Sequence, residues 1–184
     1  AETMDKKYLS LLPCDSLLNE AIHYYGSGIN RAKAFMYKGR LQLRMNMYKE
    51  AIESDFAALK ELGNTDAEEL RVKGMIYEDL GNLYVSQVLI DKGMDMFLKS
   101  KDCFISCDYK KGLCFVFNDI GWGYLVKGDT LRARDNMKCS LGLALEENDS
   151  MIVSMTNHNL SKTPYIDKYT TDLTEKIKPK RQDF

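Results

Sequence analysis

Nine small side chains recur at matched intervals along the chain, and they constrain its fold more than any other feature. Gly39, Gly81 and Gly121 follow one another at 42 and 40 residues. Ala51, Gly93 and Ala133 keep both offsets, and so do Ala58, Ser100 and Ser140. Large residues surround them at helical spacing: Tyr77, Leu80 and Tyr84 beside Gly81, and Phe97 beside Gly93 and Ser100. A glycine in a helix interior costs about 1 kcal/mol relative to alanine, so its place on an otherwise apolar face needs an offsetting gain. Close approach of two helix backbones supplies it. Residues 77–100 therefore read as two amphipathic helices folded back on each other, with a tight turn near Val88 to Asp91.

The large positions repeat as well. Phe35, Tyr77 and Phe117 each stand four residues before a first-helix glycine. Leu80, Ile120 and Leu160 are each 40 apart, which predicts a fourth, degenerate unit with Ser161 in the glycine place. Self-similarity at a fixed period is the sequence sign of a solenoid.

These motifs resemble the tetratricopeptide repeat, whose signature is W-x2-L-G-x2-Y, then A-x3-F and a closing proline. The second unit has Y77-x2-L80-G81-x2-Y84, then G93-x3-F97. The third has F117-x2-I120-G121-x2-Y124, then A133-x3-M137. The first has F35-x2-K38-G39, then A51-x3-D55. The closing proline is missing from all three, and the units exceed the family period of about 34 residues by roughly 6 to 8. That surplus falls after the second helix, which predicts that this helix runs on by one or two turns.

The resemblance covers roughly residues 30 to 162. It implies an all-α fold, a right-handed superhelix of antiparallel helix hairpins with about eight to nine helices, in one domain. Residues 1–29 are then a partial repeat, 30–65, 66–108 and 109–148 three repeats, 149–178 a degenerate repeat with a capping helix, and 179–184 a tail.

In such a family the first helices of successive repeats line a concave groove. Carried over by register, the lining is Lys33, Met36, Arg40 and Arg44, then Glu78, Asp79, Asn82 and Ser86, then Asn118, Asp119, Trp122 and Val126, and finally His158 and Lys162. Trp122, the only tryptophan, is the favoured contact, since tryptophan and arginine dominate binding energy where a partner buries them. A subset of the family grips a peptide carboxylate with a Lys/Asn/Arg clamp. Here Met36, Asp79, Phe115 and Asp119 occupy most of the clamp places, so that clamp is not expected.

Composition narrows the rest. The chain is 45% apolar and 29% charged, as a soluble protein with a real core would be, and its net charge of −1 lacks the basic excess of a nucleic-acid binder. It has no apolar run of a length that spans a membrane. The opening AETMDKKY carries no signal peptide, so a soluble cytoplasmic chain, or a periplasmic one after signal removal, is expected. Prolines stand only at 13, 164 and 179, which leaves the middle free for helices.

Five cysteines are an odd number and make no disulfide framework. Cys103 and Cys107 stand four apart on one helix, but a metal site wants three or four ligands, and His23 and His158 are distant in sequence. The cysteines are read as small hydrophobes at helix interfaces, and neither metal nor cofactor is expected.

Read in order, the chain opens with a short lead that Pro13 interrupts. Asp15 or Ser16 then caps a helix running to about Tyr25. Gly63 ends the first hairpin, and Thr65 or Asp66 opens the second. In GDTLRAR, Asp129 accepts hydrogen bonds from the first N–H groups of the next helix. Ile166, Tyr169, Leu173 and Ile177 outline a one-sided amphipathic helix, the end cap that a solenoid needs. The basic tail reads as a solvated end.

Adjacent acids such as Glu78-Asp79 are read as solvated faces, and no nucleophile–base pair accompanies them, so an enzyme is not expected. The expectation is a non-catalytic module that binds a protein or peptide, an adaptor or sensory part of a bacterial signalling system. The alternative is a homodimer that self-associates through the helix at 166–177.

Overall fold

A computed structural model describes residues 2–63 and 66–163. Its eight helices are α1 (Glu2–Tyr24), α2 (Ile29–Arg44), α3 (Tyr48–Lys60), α4 (Ala67–Ser86), α5 (Ile90–Ser106), α6 (Lys110–Val126), α7 (Thr130–Glu146) and α8 (Ser150–Ser161), and no strand occurs among the described residues. They pair as hairpins α2–α3, α4–α5 and α6–α7, stacked in chain order, with α8 packed on both α6 and α7. The protein is an all-α solenoid. The amphipathic segment at 166–177 lies outside the described residues.

Aspartates start three of the helices. The side chains of Asp66, Asp129 and Asp149 accept from the backbone N–H groups of Glu69, Arg132 and Ile152, at 2.8, 3.0 and 3.1 Å. Each satisfies a donor that the first turn leaves without a partner.

Two expected boundaries differ. Pro13 does not interrupt α1, which runs through it; the missing N–H removes one rung of the ladder without ending it. Gly63 is not a left-handed cap, because α3 closes on Glu61 in the right-handed region.

The turns carry a second period. Asn46, Val88, Asp108, Gly128 and Asn148 all take positive φ, one in each tight connection from α2 to α8. The last four stand 20 residues apart, so one helix and its turn fill half a hairpin. Residue type hides this pattern, since only one of the five is glycine.

Val88 is the least suited of them. It is β-branched, it sits at φ 63°, and it is 80% exposed. A left-handed L-residue costs about 1–2 kcal/mol, and glycine recovers that less its own extra freedom when unfolded. Val88→Gly is expected to stabilise the domain by about 1 kcal/mol in urea unfolding; a lower midpoint would show that the valine is not strained.

The small residues form the seams within and between hairpins. A Cβ at Gly81 would overlap the Phe97 ring; one at Gly93 would lie 2.9 Å from the Gly81 carbonyl oxygen, and one at Gly121 at 2.9 Å from that of Ala133. Ala51, Ala58, Ala133, Ser100 and Ser140 are all fully buried.

The surplus length over a shorter repeat is split between both helices of a hairpin, not confined to the second. α5 continues nine residues beyond Phe97, but α4 also begins ten residues before Tyr77 and α6 seven before Phe117. These extensions carry their own small places. Phe104 lies between Gly74 and Gly112, and the Met94 sulfur lies against Gly123. The fully buried Phe104 ring thereby joins the second hairpin to the third.

Candidate functional site

The first helices form a continuous row. α2 touches α4, α4 touches α6 and α6 touches α8, whereas α3, α5 and α7 make no contact with one another. A stack whose members meet along one row and splay along the other is curved, with the touching row on its inner face. That face is the candidate site.

Polar side chains tie the row together. Lys33 of α2 pairs with Glu68 of α4. Arg40 Nε lies 2.7 Å from Asp79 Oδ2. Asn82 Nδ2 donates to Asp119 Oδ2 at 3.2 Å, and Asn159 Nδ2 donates to Asn118 Oδ1 at 3.0 Å. The Lys162 ammonium, just past α8, stands 5.0 Å from the centre of the Trp122 ring, within cation–π range. Trp122 is half-buried and belongs to none of the three apolar core clusters.

Not every residue assigned to the lining faces the groove. Met36 is 2% exposed and packs in the core with Ile76 and Leu80; helix periodicity turns it inward along with Ala32, one turn earlier. Asn118 is 4% exposed, and its oxygen already accepts from Asn159. Arg44, Ser86, Val126, His158 and Lys162 are exposed.

Glu78 and Asp79 are not a solvated face either. Both are half-buried, next to Asp119 across the α4–α6 seam. Burial lifts the Glu78 carboxyl well above the usual carboxylate range, with Asp119 and Asp79 adding to it. Burial also lifts Asp79, against the pull of Arg40. Asp119 is pushed up to about 6 by burial, against the hydrogen bonds from Asn82 and Asn118. A floor of carboxyl groups with raised affinities for protons accepts hydrogen bonds readily.

Among the described residues, no three His, Cys, Asp or Glu side chains gather as a metal site would require. Of the cysteines Cys114 is buried, Cys103 and Cys107 are half-buried, and Cys14 and Cys139 are exposed, so interface filling does not describe the last two. His23 is exposed on α1.

One residue beneath the floor has no counterpart in the expected site. Asp55 of α3 is fully buried, and neither carboxyl oxygen has a hydrogen-bond partner. Its sequence signal was its place in A51-x3-D55, where the other repeats have Phe97 and Met137.

Two solved structures share this architecture. The apo form of RapI, a TPR-like helical repeat protein, superposes with a TM-score of 0.74 at 14% identity over 95% of this chain and 61% of its own. BtubC (BKLC) from P. vanneervenii gives a TM-score of 0.65 at 16% identity over 85% of this chain and 64% of its own. At such identities the likeness establishes a helical repeat fold. This chain spans about three fifths of the length of either. No family model and no curated protein matches the sequence. No described helix is long and apolar enough to cross a membrane.

Proposed function

We propose that the chain is a non-catalytic adaptor of tetratricopeptide type that holds a protein segment against the inner row of α2, α4, α6 and α8. The observation that carries this reading is the row itself: four helices in unbroken contact, with exposed side chains above a hydrogen-bond-accepting floor. The acceptors Glu78, Asp79 and Asp119 suit the backbone N–H donors of an extended segment. Trp122, outside the core, offers the large contact on which binding energy concentrates. The resemblance of the long repeats to those attached to signalling proteins is the ground for placing this adaptor in a bacterial signalling system.

Photo-crosslinking tests the reading. A photoreactive phenylalanine at Arg44, Val126 or His158, exposed on the inner row, should capture a protein partner from the source cells. The same group at Phe56, Leu98 or Ile105, exposed on the second helices, should not. Equal capture from both faces contradicts the proposal.

With that partner in hand, Trp122→Ala is expected to weaken binding about tenfold or more while the melting temperature moves little. Unchanged affinity would remove Trp122 from the contact. Arg40→Glu is a poorer probe, because Arg40 ties α2 to α4 through Asp79 and its reversal would place like charges together.

A further inference from the structure

Asp55 stands where the neighbouring repeats place a large apolar side chain. Phe97 and Met137, at the equivalent positions, press on Gly81 and Gly121 as Asp55 presses on Gly39. Around the point that a Cβ on Gly39 would occupy, the nearest atoms are Asp55 Oδ1 at 2.6 Å and the Ala51 carbonyl oxygen at 3.2 Å. A carbonyl oxygen only accepts. In such a place a carboxylate has nothing to share with an acceptor, whereas a carboxylic acid has a proton to give.

α3 packs on α2 and α4. From α2 the charged group acting on Asp55 is Arg40, and from α4 it is Asp79. Glu78, also on α4, adds to the field at Arg40. Arg40 is already bonded to Asp79. One guanidinium therefore bonds a carboxyl group on the groove floor and acts through space on a second beneath it.

We propose that Asp55 is a proton-operated latch beneath the groove. As the neutral acid it packs uncharged against Gly39, between α3 and α2, and leaves Arg40 to Asp79. As the carboxylate, its proton given up to water, it competes with Asp79 for Arg40 and loosens the pair that joins α2 to α4. The changeover falls above neutrality, since burial, reinforced by Asp79 and opposed by Arg40, pushes this carboxyl group up to about 8.

The test is an NMR titration of the full chain between about pH 5.5 and 9.5, following the Asp55 side-chain carboxyl carbon and the Arg40 Nε–Hε signal. The two are expected to move in one step near pH 8. In Asp55→Asn the Arg40 step that coincides with the Asp55 carbon should be lost, leaving only the movement that follows Asp79 and its neighbours. Asp55→Met, which carries the side chain of the third repeat, makes the same comparison if the asparagine variant does not fold. An Asp55 carboxyl that titrates in the ordinary range near 4 overturns the proposal. So does an Arg40 signal that stays still while Asp55 titrates, or one that moves equally in the variants.

Discussion

Leucine in place of Gly121 is expected to remove about 3 kcal/mol or more of stability, a large share of the ~5–15 kcal/mol that holds a domain folded. Overpacking a seam is tolerable when the obstructing atoms can swing aside. At Gly121 they cannot all do so. A Cβ there would meet Met137 Cγ at 2.7 Å, but also the Ala133 carbonyl oxygen at 2.9 Å and the Met137 backbone nitrogen at 3.3 Å. Two of those three atoms belong to the α7 backbone, so the helices must separate, and the contacts of the seam go with them. Gly142 provides the control. It lies in the same α7, is exposed, and has nothing within 4 Å of its Cβ direction. Gly142→Ala should gain about 1 kcal/mol from helix propensity. Urea unfolding followed by circular dichroism reads both variants. Equal responses at the two sites would show that helix propensity, not close packing, governs these glycines.

Methionine in place of Asp55 is expected to stabilise the domain by about 2 kcal/mol at neutral pH and above, since an unpartnered buried polar group is replaced by an apolar side chain. It should also flatten the dependence of stability on pH. A carboxyl group held above its unfolded pKa contributes stability that is fully present below the ordinary carboxylate range and is lost as pH rises through the folded value. For Asp119 that value is about 6 and for Asp55 about 8, and Glu78 and Asp79 shift in the same direction. The wild-type melting temperature should therefore fall as pH rises from about 4 to about 8. Asp55→Met should keep the part due to the other three acids and lose the share of Asp55, which runs up to about pH 8. A variant less stable than the wild type at pH 8 would show that Asp55 has a stabilising partner in the folded chain.

The architecture was legible because close packing writes itself in residue size. Gly81 and Gly121 can lie against Phe97 and Met137 only if they remain glycine, so the period appears in the sequence as a column of small residues. The seam between hairpins was harder to read. Gly74, Gly112 and Gly123 serve it through Phe104 and Met94, but they fall outside the register of the shorter family repeat. The turns were hidden for another reason: Asn46, Val88 and Asp108 reach the left-handed region without glycine. At the candidate site, register places a residue on a helix but does not decide which way the helix is rotated. Met36 was assigned to the groove and lies in the core for that reason. The charge environment was the least legible part, because Glu78, Asp79 and Asp119 become a coupled group only when α4 and α6 meet.

The double-mutant cycle of Gly81→Leu with Phe97→Ala tests most directly whether small residues seat these helices. Phe97→Ala alone should cost about 3–5 kcal/mol and Gly81→Leu a comparable amount, but the space left by the ring admits the leucine. The account predicts that the double variant is more stable than the sum of the two losses allows, by about 1–3 kcal/mol. Losses that simply add would mean that Gly81 and Phe97 do not share a seam, and would contradict the stack built on it.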